Sequence, residues 1–427
     1  MESLPTTNWA GNVAFGAERT HRPRDLDELR RLVAGSARIR ALGSGHSFSR
    51  VAAAPGDLVV LDGLPAAVDV DTDRSTVRVP AGLRYAELAV ALHRSGLALG
   101  NLASLPHISV AGSVATGTHG SGDARRCLAA AVTGLQLVGP EGDLVELDRA
   151  TAPDTFPGSV VALGALGVVT RLTLEVEPAY TMAQRVRVAV PLTEVADRFD
   201  AVLGAADSVS VFTDWRGPEA QVWLKRRTDG SGSHSDSSSD SGSGWEGGRA
   251  ADRPLNPVPG MPPEHSTEQL DVPGPWFERL PHFRPELTPG AGEELQSEYY
   301  LPREAAPAAF EALRDIGDLV APALHVAEVR TVAADDLWLS PAYRRPTATF
   351  HFTWVRDAAA VAPVIAAVEE RLIPLGGRPH WGKLTGLAPD ELAARYEQAG
   401  EFGRLARKLD PAGKFRNAFL DALLGDG

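Results

Sequence analysis

Between Ser104 and Gly122 the chain reads Ser-Leu-Pro-His-Ile-Ser-Val-Ala-Gly-Ser-Val-Ala-Thr-Gly-Thr-His-Gly-Ser-Gly. From Ser109 onward every residue except Val110, Val114 and His119 is Gly, Ala, Ser or Thr. Such a run has too little side-chain volume to fill a core, so its contribution lies in the backbone. Glycine reaches positive φ and lets amides approach a ligand closely. Successive N–H groups in a tight loop form an anion-binding concavity, and Ser and Thr hydroxyls add donors. A flexible surface linker is the plainer alternative, but Leu105, Pro106, Val110 and Val114 would anchor the segment rather than leave it loose. The stretch therefore reads as a loop lining a large phosphate-bearing cofactor.

Around it, helices alternate with short strands. Asp25 opens a helix with Glu28 in capping-box spacing and Leu26, Leu29 and Val33 as its apolar stripe. Short strands are expected at 38–42, 58–61, 67–70 and 76–79, a helix at 84–95, and a hairpin across Gly139-Pro-Glu-Gly142. Glu177-Pro178 is a natural boundary. Beyond it come strands at 184–190, 208–214, 220–225, 296–301, 325–332 and 349–355, with helices at 192–206, 303–320 and 357–372. A helical tail begins at Pro389, broken at Asp410-Pro-Ala-Gly413. The fold class is α+β. Residues 229–253 are rich in Gly, Ser and Asp, cannot bury enough apolar surface to order themselves, and read as a disordered insert.

A chain of 427 residues favours two domains. Its net charge of −13 argues against nucleic acid and anionic membrane surfaces, both of which call for basic patches. No run of 18 apolar residues occurs, so no membrane-spanning helix is expected. A single cysteine, Cys127, rules out a disulfide framework and a Cys-based zinc site. The first residues carry neither a basic nor an apolar leader segment, and with the cysteine count this points to the cytoplasm. Nothing demands assembly, so a monomer is expected.

Two further segments carry chemistry. Gly43-Ser-Gly-His46-Ser follows a strand, but Phe48 stands where a dinucleotide fingerprint needs its third glycine, so any nucleotide is held by another fold. His46 there is a ligand-facing or a surface-turn histidine. On strand 325–332, Glu328 and Arg330 share one face; on strand 349–355, His351 and Thr353 share one, with Phe350, Phe352 and Trp354 opposite. The aromatic face is core. The polar faces are either solvated or, taken together, the wall of a hydroxyl-binding pocket. Lys383, in Pro379-His-Trp-Gly-Lys383, is a surface lysine or a fixed charge near the reacting centre.

These segments, with Thr116-Gly-Thr-His-Gly120 and Leu163-Gly-Ala-Leu-Gly-Val-Val-Thr170, resemble the FAD-binding domain of the vanillyl-alcohol-oxidase (PCMH) type. Phe212-Thr-Asp-Trp215, Glu328-Val-Arg330, His351-Phe-Thr-Trp354 and His380-Trp-Gly-Lys383 are similar to the alditol (xylitol/sorbitol) oxidases, neighbours of the sugar-1,4-lactone oxidases. The resemblance covers nearly the whole chain outside the 229–253 insert.

It implies an FAD-binding domain over 1–178, a substrate-binding cap with a mainly antiparallel sheet over 179–385, and a helical segment over 386–427 that returns to the first domain. His46 matches the histidine that bonds covalently to the flavin. Ala41, Leu42, Gly43, Ser44, Gly45, Ser47, Ser104, Ser109, Gly112, Ser113, Val114, Ala115, Thr116, His119, Gly120 and Val168 or Val169 match positions that hold FAD. Glu328, Arg330, His351, Thr353 and Lys383 match the polyol pocket, with Ser104 at its flavin side. Arg330, Lys383 and Glu328 carry the catalytic roles. The implied reaction is oxidation of a terminal CH–OH, with O2 as acceptor giving H2O2. Ala103 stands beside the flavin where a methyl group hinders oxygen, which leaves a dehydrogenase using another acceptor open. A sugar-1,4-lactone oxidase or dehydrogenase and a non-catalytic flavin- or sugar-binding protein are the rival readings. No metal is implied.

Overall fold

The computed structural model of the chain describes residues 5–230, 245–286 and 293–425. Strands Arg19–His21, Asp57–Val60 and Ile39–Leu42 form a small parallel sheet with Asp57–Val60 at its centre. A five-stranded antiparallel sheet orders Asp69–Asp71, Thr76–Pro80, Val168–Glu175, Val132–Val138 and Leu144–Asp148. Against these lie helices Leu26–Gly35 and Tyr85–Arg94, which bury Leu29 and Val33, and Leu88 and Leu92. Asp25 caps the first helix by accepting the Glu28 N–H at 2.7 Å, the expected arrangement.

The second half is built on a nine-stranded antiparallel sheet. Its path runs Arg249–Ala250, Thr181–Pro191, Glu219–Arg227, Ser208–Thr213, Leu324–Val332, Thr347–Val355, Glu294–Pro302 and Arg378–Pro379, and the ninth strand, Gly274–Pro275, pairs with the start of Thr181–Pro191 off this path. One face buries Phe350, Phe352, Trp354, Leu295 and Tyr299 under helices Ala306–Arg314 and Ala358–Leu372. Because side chains alternate along a strand, the opposite face carries the polar residues and turns toward the first half. The chain then returns through helices Ala399–Leu409 and Ala418–Leu424, placing Phe402, Phe415 and Leu420 in the first half's core.

The structure corrects several sequence expectations. Residues 110–116 of the small-residue stretch are a two-turn helix, Val110–Thr116, and not a loop; Gly117 ends it with φ of 69°. Alanine is the best helix former, and small side chains let this short helix pack its backbone closely. The expected helix at 192–206 is two, Leu192–Asp197 and Phe199–Leu203, and that at 303–320 breaks between Arg314 and Gly317. Within the 229–253 insert, residues 231–244 lie outside the described residues, but the segment from Trp245 to Ala251 is anchored to the second half. Trp245 is buried, its Nε1 donates to Glu194 Oε1 at 2.8 Å, and Arg249–Ala250 pairs with Val188 and Arg187. Among the described residues no helix is long and apolar enough to cross a membrane, and no cluster of His, Cys, Asp or Glu could hold a metal ion.

Candidate active site

A cavity of about 690 Å³ opens between the two halves. Its first wall is the turn that follows strand Ile39–Leu42. Gly45 makes the turn with φ of 69°, a backbone region glycine enters without strain. The turn is clamped to helix Val110–Thr116 by a reciprocal pair: Ser44 N–H donates to Ser109 Oγ and Ser109 N–H to Ser44 Oγ, each at 3.2 Å. A Cβ at Gly43 would strike Ser109 Oγ, and one at Gly112 would lie 2.7 Å from it. Both glycines are therefore required for the two segments to meet. Ala41 to Ser47, Ser104, Ser109, Gly112, Ser113, Ala115, Thr116 and His119 all line the cavity. Val114, Gly120 and Val168 do not line it. Val114 and Val168 are buried in the hydrophobic core, and a Cβ at Gly120 would run into Asn101 and Leu102. Val169, the neighbour of Val168 on the other strand face, is the lining residue.

His46 stands at the centre of this wall. Its ring stacks on Trp9 at 5.3 Å, Nδ1 lies 3.1 Å from the Ser44 carbonyl oxygen, and Nε2 is enclosed without a hydrogen-bond partner among the described residues. Burial lowers its pKa to about 4, so the imidazole is neutral and nucleophilic at physiological pH. An enclosed ring nitrogen left without a partner, beside a backbone cradle where a Cβ at Gly43 or Gly112 would meet Ser109 Oγ, fits FAD.

The second wall is the polar face of the large sheet. The register places Glu298 and Glu328 on either side of His351, so three adjacent strands present a carboxylate, an imidazole and a carboxylate in one row. Arg330 projects from the next inward position of its strand. Its terminal nitrogen donates to Glu298 Oε1 at 2.7 Å, and its Nε lies 3.5 Å from Glu328 Oε2. The other terminal nitrogen reaches Ser104 Oγ at 3.5 Å and so spans to the first wall. His119 Nε2 meets Glu298 Oε1 at 2.9 Å, and His351 Nε2 meets Thr353 Oγ1 at 3.2 Å. Lys383 Nζ donates to Gln296 Oε1 and sits 5.2 Å from the centre of the Phe48 ring. Phe48 N–H bonds the Gly382 carbonyl at 2.7 Å, which ties the lysine segment to the His46 turn.

The charges are strongly coupled. Burial alone would raise the pKa of Glu328, but Arg330 and His282 overrule it and hold the carboxyl well below its usual range. For Glu298 burial is likewise overruled, by His119 and Arg330. Arg330 loses solvation, yet the two carboxylates hold it firmly protonated. Burial lowers Lys383 to about 8 and pushes His351 below its ordinary value. Arg330 and Lys383, two cations beside the polar wall, suit oxygen atoms that gain negative charge.

The structure thus brings Ser104, Glu328, Arg330, His351, Thr353 and Lys383 together around the same cavity as His46. It adds Glu298, Gln296, His282 and His380, which the sequence reading did not single out. Glu298 and Gln296 had a signal: Gln296, Glu298 and Tyr300 alternate with Leu295, Ser297, Tyr299 and Leu301 along one strand. His282 lies in an irregular segment with no periodicity to expose it.

Fold and cavity define a two-domain FAD-dependent oxidoreductase, and comparison with known proteins agrees. Residues 17–148 match the FAD binding domain family, and residues 293–423 match the D-arabinono-1,4-lactone oxidase family. The chain is 51% identical over 426 residues to alditol oxidase from a Streptomyces species, covering 99% of each chain. It is 29% identical to L-gulono-1,4-lactone dehydrogenase of Mycobacterium tuberculosis, over 98% of this chain and 99% of that one. Among solved structures, a solvent-stable cholesterol oxidase shares the fold with a TM-score of 0.75 at 15% identity, over 98% and 97% of the two chains. Glucooligosaccharide oxidase from Acremonium strictum, described with a 6-S-cysteinyl, 8α-N1-histidyl FAD, does so with a TM-score of 0.70 at 14% identity, over 97% and 93%. The chain belongs to the vanillyl-alcohol-oxidase-type FAD enzymes, in the group that contains alditol oxidase and is related to the sugar-1,4-lactone oxidases.

Proposed function

We propose that this enzyme oxidises the terminal C1 hydroxyl of alditols such as xylitol and sorbitol to the aldose, with O2 reduced to H2O2 and FAD bonded covalently to His46. The observation that carries the substrate reading is the row Glu298–His351–Glu328, with Arg330 and Lys383 beside it, facing Ser104 across the cavity. A polyol offers a hydroxyl on every carbon, and this wall offers carboxylate acceptors and cationic donors at several heights. A site built to bond hydroxyls rejects analogues lacking them, by roughly 10⁴ or more in favourable cases. The alditol oxidase relative supports the same assignment.

FAD, when bound, supplies the two-electron acceptor for the carbinol hydrogen and the route of those electrons to O2. The residues of the chain do the rest. The Ser44–Ser109 clamp holds the cofactor cradle together, and the His46 ring supplies the nitrogen for covalent attachment. Glu328 accepts substrate hydroxyls through the oxygen not bonded to His282. Arg330 and Lys383 stabilise negative charge on the C1 oxygen as its proton leaves, and Ser104 fixes that oxygen from the opposite wall. The reaction balances as alcohol plus O2 giving aldehyde plus H2O2. Ala103 lines the cavity, where its methyl group moderates access of O2.

Turnover of xylitol and sorbitol, measured against L-gulono-1,4-lactone with released peroxide as readout, tests the reading. Xylitol oxidation with one H2O2 per aldose is expected. Turnover confined to lactones would transfer the enzyme to the second reading, a sugar-lactone oxidase or dehydrogenase, which the family match over 293–423 favours.

A further inference from the structure

Behind the catalytic row lies a buried pair that the reaction as derived does not use. Lys225, on strand Glu219–Arg227, is 1% exposed and, among the described residues, faces no carboxylate within hydrogen-bond reach. Its Nζ instead meets three acceptors: the Leu280 carbonyl at 2.6 Å, the Pro281 carbonyl at 3.0 Å and His282 Nδ1 at 3.1 Å. Burial lowers Lys225 to about 7; below that pH its ammonium has three N–H donors and no acceptor, so all three are used. His282 Nδ1 must then accept, and the single proton of the neutral imidazole sits on Nε2. Burial, followed by the Lys225 charge, lowers His282 to about 4, which keeps the ring neutral. That Nε2–H points at Glu328 Oε1, 2.8 Å away, with Ser210 Oγ at 3.2 Å. Among the described residues no other hydrogen bond reaches the Glu328 carboxylate.

The ring has no freedom to turn. Phe212 and Trp223 close on it edge to face at 5.2 and 5.6 Å. The backbone of the same segment crosses to the flavin side, where the His282 and Phe283 amides both donate to the Ser104 carbonyl, at 3.2 and 3.4 Å. One short loop thus holds Glu328 and Ser104, which the proposed reaction needs on opposite sides of the substrate.

We propose that Lys225 and His282 form a positioning relay for substrate binding: Lys225 fixes the Nε2–H tautomer of His282, and that N–H orients Glu328 so that its second oxygen, 3.5 Å from Arg330 Nε, accepts from a polyol hydroxyl. Lys225 does not line the cavity, and His282, which does, acts on the substrate through Glu328. The inference rests on the polyol reading of the cavity, while its structural core, the tautomer, stands apart from any activity.

The test has two arms. Histidine ¹⁵N spectra of the FAD-loaded wild-type enzyme, recorded below pH 7 where Lys225 is charged and with the His282 signals assigned by their loss in His282→Gln, should show a bare Nδ1 and a protonated Nε2. A proton on Nδ1 overturns the relay without recourse to any variant's folding, and so does a Lys225→Met enzyme that keeps the Nε2–H form unchanged. In kinetics, His282→Leu and Lys225→Met should raise KM for xylitol roughly tenfold or more, with a smaller change in kcat, because a hydrogen bond to a buried carboxylate is lost. His282→Gln, whose amide N–H can replace Nε2–H, should recover most of that loss. Equal defects in His282→Leu and His282→Gln, tracking a shared drop in melting temperature, would show a merely structural role. A wild-type enzyme that oxidised no alditol would remove the polyol reading, while the nitrogen spectra would still decide the tautomer.

Discussion

At His46 a single ring is held on two sides, by Trp9 against its face and by the Ser44 carbonyl at Nδ1. With burial keeping it neutral, the ring is ready to bond a flavin methyl carbon. Purified enzyme should be yellow and keep its flavin after acid precipitation. His46→Ala should release the flavin on denaturation, and flavin that stayed on the acid-denatured mutant would refute the linkage. Lys383 sets a pH limit of its own. Its ammonium form dominates below about pH 8 and disappears above, so kcat/KM for xylitol should fall as pH rises through that value. Lys383→Met should lower the rate by roughly 10²-fold and abolish this alkaline limb; a mutant profile that kept the limb would assign it elsewhere. At this scale residue type and strand alternation made Glu328, Arg330, His351 and Thr353 legible, since period-two spacing fixes which side chains share a face. Lys225 was not legible. It lies on a strand that reads as ordinary, and its importance comes from a histidine and two carbonyls of a segment 55 to 57 residues away.

Elements were easier to read where a periodic pattern and a stop signal coincide. Helix Leu26–Gly35, the hairpin Val132–Val138 with Leu144–Asp148, and the alternating strand Thr347–Val355 all stand within a few residues of expectation. The small-residue helix Val110–Thr116 did not declare itself, because seven residues without an amphipathic stripe carry no helical period. The Ser/Gly/Asp insert misled in another way: composition averaged over 229–253 hid Trp245. That side chain is buried among Leu192, Val195 and their neighbours and bonds Glu194. Trp245→Ala should therefore destabilise the second half by about 3 kcal/mol, seen as a lower melting temperature with the flavin still attached. Deleting residues 231–243 should leave melting temperature and xylitol turnover intact, whereas extending the deletion through Gly248 should reproduce the Trp245 loss. Equal effects of the two deletions would remove Trp245 from that role.

Across the whole molecule, the stretch 104–122 forms a seam. Its Ser104 bonds the loop behind Glu328, His119 meets Glu298, the Gly117 carbonyl accepts from Tyr300 Oη at 3.2 Å, and Gly122 N–H bonds the Thr331 carbonyl at 3.0 Å. Cofactor cradle and polar wall are thus aligned by one short segment, and the active site exists only while the two halves stay together. The first half is itself gathered by a buried cation. Arg40 donates to the carbonyls of Val51, Leu163, Gly164 and Phe415, so that the turn after His46, the loop before strand Val168–Glu175 and the returning C-terminal segment meet on one guanidinium. Burial lowers it to about 10, which leaves it charged at neutral pH. Each carbonyl abandoned in the interior costs about 1–3 kcal/mol, so Arg40→Leu should destabilise the enzyme by at least about 3 kcal/mol, allowing for partial relaxation. Because Arg40 also lines the cavity, the same variant should incorporate less covalent flavin at a temperature where it is still folded. Melting temperature and the ratio of flavin to protein absorbance measure the two effects separately. A stable, fully flavinylated Arg40→Leu enzyme would mean that the three segments assemble without that cation, and that the cradle owes its shape to the Ser44–Ser109 clamp alone.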